Sequence, residues 1–181
     1  KLDNEIGQIY SALEEENVEK ETIIFFTSNF NRNFSSSKNY LIAERGLRVP
    51  LIISCQGMIG NEGNYKILVQ LADFLPTILS LAKVDIPEHY IVNGYDLSKY
   101  LLGGFYGGRI KRELLIAWSV DRRSIRNQRW LLHGAGVLYE CKENAIDEKE
   151  FTDRTFSKDI IAEAAKNRLE YELNRFPKVE E

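Results

Sequence analysis

Apolar residues recur at helical spacing near both ends of the chain. In residues 1–17, Leu2, Ile6, Ile9 and Leu13 follow the i, i+4, i+7, i+11 pattern, and acidic residues fill the opposite face. This pattern is typical of an amphipathic helix packed on one side. A final helix is predicted over Ser157–Arg175, and the apolar side expected for it consists of Ile161, Ala164, Leu169 and Leu173.

A third helix is predicted over Asp73–Ala82. Asp73 is a residue type that caps helix N-termini, Pro76 fits a first turn, and Phe74, Ile78 and Leu81 share one side. A short helix is expected to follow Asp96 and to run to Leu102, because two glycines come next.

Short β-branched and aromatic runs predict the strands. Thr22–Thr27 and Arg48–Ser54 lack alternation, which is the pattern of strands buried on both faces. Three further strand-like runs are predicted late in the chain, with a hairpin at Gly134 and Gly136: Leu114–Val120, Arg123–Leu132 and Val137–Cys141.

This order of elements predicts an α/β fold: a partial sheet with flanking helices, followed by a small antiparallel α+β subdomain. The expected domains are 1–108 and 109–181, with the join near Phe105–Arg112. Two buried strands are too few to complete a sheet with helices on both faces. We therefore expect the sheet to be completed by a second copy, or by an N-terminal half that these residues lack.

Composition excludes several classes. Hydrophobic residues are 44% and charged residues 28%, so the bulk of the chain is not disordered, and no apolar run is long enough for a membrane helix. The net charge of −3 does not favour nucleic acid or an acidic membrane as a partner. Because Lys1 is not an initiator Met and no signal segment follows it, we expect a processed or truncated piece.

Four ordered segments resemble the C-terminal half of type I sulfatases, in the alkaline phosphatase superfamily. LDNEIGQIYSALEEENVEKETIIFFTS (2–28) resembles the helix and strand that lead to the T-S-D-[NH]-G metal loop, and ERGLRVPLIIS (44–54) resembles E-G-G-x-R-V-P-x-I. LVQLADFLPTILSLAKVDIP with NGYDLSKYLLG resembles the D-x-x-P-T-x-L helix and the following turn. RSIRNQRWLL with VLYECKENAIDEKEF resembles the C-terminal sheet.

The resemblance implies a sulfatase-like (alkaline-phosphatase-like) sheet and a sulfuric ester hydrolase. It also implies a formylglycine nucleophile, formed from the Cys or Ser of C/S-x-P-x-R, and a calcium ion that polarises the sulfate. The substrate it implies is a sulfated small molecule or glycan, and the location it implies is periplasmic or secreted.

The nucleophile motif is missing from these residues. Two positions before the four prolines stand Arg48, Phe74, Asp85 and Arg175, so no catalytic residue is expected in this chain.

Two residues remain as candidate ligands by resemblance. Asn29 stands at the Asp position of the metal loop, where its amide oxygen can bind calcium without adding charge, and Phe30 replaces the next ligand. A polar turn that has lost the metal is the alternative for Asn29. Lys38 is the candidate for sulfate binding, since a family Lys precedes the Glu44 segment, and a solvated loop lysine is the alternative.

Other residues are expected to be structural. We expect exposed or packed roles for His89 and His133, and core positions for Trp118 and Trp130. The basic stretch is interpreted as a solvated strand face rather than a contact for a sulfated glycan; it consists of Arg122, Arg123, Arg126 and Arg129.

Three functional hypotheses follow. The first is the C-terminal portion of a sulfatase, inactive as an isolated chain. The second is a degenerate, non-catalytic sulfatase-like module for binding or assembly, which the replacements at Asn29 and Phe30 favour. The third is a related phosphatase or phosphonate hydrolase.

Overall fold

The computed structural model describes residues 1–28, 44–59, 63, 65–103, 112–119, 122–142, 145 and 148–176. It divides into two compact units. The first contains residues 1–27 and the described residues between 50 and 103. The second contains residue 28, residues 44–49 and the described residues between 112 and 176. The boundary predicted between 108 and 109 lies outside the described residues and stays a prediction.

The first unit is a mixture of helices and one small sheet. Its elements, in chain order, are α1 (Leu2–Glu15), β1 (Ile24–Thr27), β2 (Leu51–Ser54), a 3₁₀ turn (Leu71–Asp73), α3 (Phe74–Leu81) and α4 (Ser98–Leu101). The short helix α2 (Glu44–Leu47) precedes β2 in the chain and belongs to the second unit. The helices and strands predicted for the first unit are thus present, although several are shorter than expected.

The two strands of the first unit pair with each other in antiparallel register, with Phe25 opposite Ile53 and Phe26 opposite Ile52. The expectation that both strands are buried on both faces is wrong. All four residues of β1 are half-buried, and Ile52 in β2 is 59% exposed. Phe25 packs against Phe74 of α3 with ring centroids 5.3 Å apart, so one face of the sheet is in contact with a helix.

The second unit is an antiparallel meander covered by a helix. Its sheet has the order β3-β4-β5-β6-β7, and α5 follows it. The bounds are β3 (Leu115–Ser119), β4 (Arg122–Arg126), β5 (Trp130–His133), β6 (Leu138–Glu140), β7 (Thr152–Asp153) and α5 (Ile160–Leu173). The hairpin expected at the glycines joins β5 to β6, and Gly136 has a φ of +85°, a conformation that suits glycine.

The segment predicted as one strand over Arg123–Leu132 is two strands. The side chain of Asn127 accepts hydrogen bonds from the backbone N–H groups of Arg129 and Trp130, at 2.8 and 2.7 Å. This local bonding closes a turn inside the run, because an Asn side chain can replace the backbone partner that a continuing strand would need.

The apolar core of the second unit lies between its sheet and α5. Buried side chains from both layers form the larger cluster: Ile125, Trp130, Leu132, Leu138, Ala162, Leu169 and Leu173. The expected face of α5 is therefore only partly correct, since Leu169 and Leu173 are buried but Ile161 and Ala164 are exposed. On the packed face, Ala162 is buried in place of the expected Ile161.

Trp130 is buried, as expected, but Trp118 is not a core residue. It lies on β3 at the end of the sheet order and is 57% exposed. Among the helices that the structure describes, none is long and apolar enough to cross a bilayer.

Candidate functional site

A connected group of charged side chains in the described part of the second unit surrounds Glu44, the first residue of α2. The Glu44 carboxylate is buried and forms an ion pair with the guanidinium of Arg126 on β4. Arg48 lies one helical turn after Glu44, with its Nη1 atom 3.8 Å from the same carboxylate, and it donates to the carbonyl oxygen of Ala145 at 2.9 Å. These contacts give Glu44 and Arg48 a structural role.

Glu148 adds a second link to the same helix. Its Oε1 atom accepts a hydrogen bond of 2.7 Å from the backbone N–H of Glu44, and its Oε2 atom lies 3.1 Å from Nε2 of His133. The His133 ring packs edge-on against Tyr139 at 5.8 Å between centroids. Sequence reasoning missed this pair, because residues 133 and 148 come together only when the meander forms.

We refer to Glu44, Arg48, Arg126, Glu148 and His133 as the Glu44 cluster. Burial raises the pKa of the neighbouring Cys141 thiol to about 11, with Glu44 and Glu148 acting in the same direction and Arg126 opposing them. Burial also raises the pKa of Tyr139, and the negative charges of Glu148 and Asp153 add to the effect. Neither group is therefore poised as a nucleophile near neutral pH.

The arginines of the basic stretch also have internal partners. Arg123 donates to the carbonyl oxygens of Leu173 and Phe176, at 2.9 and 3.1 Å, so it binds the last turn of α5. Arg129 forms an ion pair with Glu140 at 2.8 Å. Arg123 and Arg126 thus hold the subdomain together rather than forming the solvated face that we expected, whereas the Arg129 side chain, which is 54% exposed, does lie on a solvated face.

The first unit contains a different polar group, centred on Asp73. Its Oδ2 atom accepts from the backbone N–H of Gln70 and its Oδ1 atom from that of Tyr95, each at 2.8 Å. Thr77 donates to the Asp73 carbonyl oxygen at 2.6 Å and accepts from the Leu97 N–H at 3.0 Å. These hydrogen bonds join the D-x-x-P-T segment to the segment around Tyr95, so each segment holds the other in position.

Two expectations about α3 need correction. Asp73 does not cap α3 through its side chain, since its oxygens bond to Gln70 and Tyr95 instead. Ile78 does not share the packed side of the helix, because it is 45% exposed whereas Pro76 and Thr77 are buried. The hydrogen bonds of Asp73 and Thr77 to the backbone of Tyr95 and Leu97 place the Thr77 side of the helix against that segment. The most apolar side of the helix is therefore not the packed side.

The two predicted ligands, Asn29 and Lys38, lie outside the described residues, so their roles stay predictions. Within the described ranges, no three His, Cys, Asp or Glu residues are grouped so that they could hold a metal ion. His89 lies beside Tyr90, with ring centroids 5.0 Å apart.

Comparison with known proteins identifies the class. Residues 1–84 match the model of the sulfatase family. The chain is 30% identical over 99 residues to an ulvan-active sulfatase of Formosa agariphila, a match that covers 55% of this chain and 16% of the relative. It is 33% identical over 103 residues to arylsulfatase K of Gallus gallus, covering 54% of this chain and 18% of that protein.

Solved structures extend the similarity to nearly the whole chain. A Bacteroides fragilis protein described as a candidate sulfatase matches with a TM-score of 0.61 and 25% identity, covering 96% of this chain and 38% of its own. The same coverage and TM-score hold, at 23% identity, for a protein solved in complex with its substrate D-glucosamine-2-N,6-O-disulfate. The resemblance and the sulfatase-like fold class are confirmed. The chain spans less than half of these structures and under a quarter of the curated relatives.

Proposed function

We propose that these residues form the C-terminal portion of a sulfatase that hydrolyses sulfuric esters. The observation that carries the proposal is the family match over residues 1–84, which includes β1 and the D-x-x-P-T helix. The chain itself supplies no C/S-x-P-x-R motif. Its role is then to support the catalytic centre, and the 181-residue chain alone should be inactive.

The Glu44 cluster is suited to such a supporting role. It binds α2 to the C-terminal sheet through Arg126 and Glu148. Residue 44 directly follows the segment 29–43 that carries both Asn29 and Lys38. Holding α2 in place therefore fixes one end of the segment in which we propose a calcium ligand and a sulfate contact.

Calcium is proposed as the cofactor through resemblance. When bound in a sulfatase, the ion polarises the sulfate oxygens and offsets negative charge that develops in the transition state. In this chain, Asn29 would supply one amide oxygen and Phe30 none, so the remaining oxygen ligands must come from other residues.

A sulfated small molecule or glycan is the proposed substrate class. The proposal is supported by the matched structure whose substrate is a disulfated glucosamine, and Lys38 would contact the sulfate as a cation. A periplasmic or secreted location is proposed on family resemblance.

One observation favours a second function. Where the family has T-S-D-[NH]-G, this chain has Thr27-Ser28-Asn29-Phe30-Asn31, which removes one charge and one donor from the metal loop. A protein with such a loop would serve as a non-catalytic module for binding or assembly. A related phosphatase or phosphonate hydrolase is the third candidate.

The test compares the protein expressed from its own gene with the 181-residue chain. We expect the former to release nitrophenol from 4-nitrophenyl sulfate, to lose this activity in EDTA and to regain it with calcium. The 181-residue chain should release none. Faster release from 4-nitrophenyl phosphate would favour the phosphatase, and calorimetric binding of glucosamine 6-sulfate without turnover would favour the binding module. Turnover by the 181-residue chain would overturn the proposal.

A further inference from the structure

Two arginines of the second unit share one carboxylate. Arg129 donates from Nε and Nη2 to the Oε1 atom of Glu140, at 3.0 and 2.8 Å. Arg154 donates from Nε to the Oε2 atom at 3.0 Å, and its Nη2 atom lies 2.9 Å from the same oxygen. The hydrogen bond from Arg129 is the main cause that lowers the pKa of Glu140, and that from Arg154 adds to it. Because the carboxylate is ionised, two cations and one anion leave one positive charge in excess.

The charge balance differs at other arginines of the second unit. Arg48 and Arg126 also approach one carboxylate, that of Glu44, but Glu148 brings a second carboxylate to the same cluster. Arg168 pairs with a carboxylate of its own. The excess charge is therefore a property of the group around Glu140, not of every arginine on this sheet.

The acidic residue before Arg154 does not neutralise this charge. Asp153 is the register partner of Tyr139, which precedes Glu140 in β6. Cross-strand partners share a face of the sheet, and successive residues of a strand point to opposite faces. Asp153 therefore lies on the face opposite to Glu140.

Both guanidinium groups are accessible and held in place. The side chains of Arg129 and Arg154 are 54% and 38% exposed. The Cζ atom of Arg129 lies 5.0 Å from the ring centroid of Trp130, a cation–π distance, and Trp130 belongs to the apolar core. Each arginine binds Glu140 through Nε and Nη2, and in the described part of the chain the Nη1 atom of neither has an acceptor. N–H donors thus remain available for an external anion.

A sulfate ester has the charge and shape that this group can bind. It carries one negative charge, which would balance the excess, and its outer oxygens accept the paired N–H donors of a guanidinium. Since Glu140 and Trp130 already restrict the arginines, binding costs less conformational entropy than it would at free side chains.

We propose that Arg129 and Arg154, held by Glu140 and Trp130, bind a sulfate ester group of a glycan. We call these two residues the arginine pair. The choice of sulfate as the anion rests on the proposed function. The matched structure with a disulfated glucosamine shows that a related protein takes a substrate with two sulfate groups, and a glycan with several such groups can present one of them to the arginine pair.

Calorimetric titration tests the proposal on the protein expressed from its own gene. The probe is a dextran sulfate oligosaccharide, whose only anionic groups are sulfate esters, and unsulfated dextran is the blank. Arg154→Lys keeps the charge but removes the planar fork, so we expect Kd to rise about fivefold at low salt. Arg129→Lys should act in the same direction. Arg168→Lys, in an exposed one-to-one ion pair, is the matched control and should leave Kd unchanged.

An unchanged Kd in both lysine variants of the arginine pair would indicate attraction by charge alone and would overturn the proposal, as would an equal loss in Arg168→Lys. Inorganic sulfate that competes equally well, at the same concentration of sulfate groups, would assign the site to a free anion rather than a glycan. The outcome is separate from the activity assay. Weaker binding in the two variants of a protein that releases no nitrophenol would leave the arginine pair standing and refute the hydrolase. Hydrolysis together with unchanged binding in both variants would do the reverse.

Discussion

The carboxylate of Glu44 is paired with the guanidinium of Arg126, although 82 residues separate them in the chain. The pair joins the segment E-R-G-L-R, which precedes β2, to the second strand of the C-terminal sheet. Both side chains are largely buried, with exposures of 7% and 18%. Two of the segments that resemble sulfatases are thus linked by one ion pair.

Replacing Glu44 should destabilise the second unit strongly. Glu44→Ala leaves the largely buried Arg126 without its carboxylate, and removing one partner of a buried pair typically lowers the free energy of unfolding by about 3 kcal/mol. Urea denaturation measures this change. The control is Glu113→Ala, whose pair with Arg168 is exposed and should contribute less than about 1 kcal/mol. Equal losses in the two variants would contradict the role given to Glu44.

The hydroxyl of Thr77 should be essential to the first unit. Thr77→Val keeps the shape of the side chain but leaves the buried Leu97 N–H without its acceptor, which we expect to lower the free energy of unfolding by about 1–3 kcal/mol. Hydrogen exchange at the Leu97 amide should become faster. Thr77→Ser retains the hydroxyl and should lose only about 1 kcal/mol, from the missing methyl group. A Val variant as stable as the parent would show that the bond contributes little.

The sequence predicted the presence of the helices and strands more accurately than it predicted which side of each is buried. Periodicity located α1, α3 and α5, but Ile78 and Ile161 are exposed although both lie on the most apolar side of their helix. Helix rotation is decided by partners distant in sequence. For α3 these are the backbone groups of Tyr95 and Leu97, which no local pattern reveals.

The candidate site could be predicted only through resemblance. Asn29 and Lys38 were found by motif register and stay predictions, whereas the Glu44 cluster was not found as a cluster at all. Its members come from α2 and the residue that follows it, two strands of the meander and the 3₁₀ turn Glu148–Glu150. The sequence around a single charged residue does not indicate which distant charged residue it will contact in the fold. The turn at Asn127 did have a signal, because Asn favours local bonding to the backbone, but the surrounding strand-like run masked it.

Two glycine substitutions should have opposite effects. A Cβ atom at Gly94 would lie 1.9 Å from the carbonyl oxygen of Ala72, so Gly94→Ala forces the backbone segments apart and should destabilise the first unit by at least about 2 kcal/mol. At Gly7 in α1 nothing lies within 4 Å of the added atom. Gly7→Ala should therefore stabilise the helix by about 0.5–1 kcal/mol. Thermal unfolding followed by circular dichroism compares the two, and a harmless Gly94→Ala would contradict the close approach.

The thiol of Cys141 should respond to pH differently in the folded and the unfolded chain. Burial raises its pKa from 9.0 to about 11, so the folded state holds the neutral thiol and disfavours the thiolate. The resulting stabilisation is fully present below pH 9 and is lost as the pH rises towards 11. Initial rates of iodoacetamide alkylation, resolved by peptide mass spectrometry, report the thiolate fraction directly. For the native chain the rate at Cys141 should reach half of its maximum near pH 11, whereas in urea it should do so near pH 9. A native profile that levels off at the same pH as the unfolded one would show that the thiol is hydrated, and the packing described around Cys141 would then be wrong.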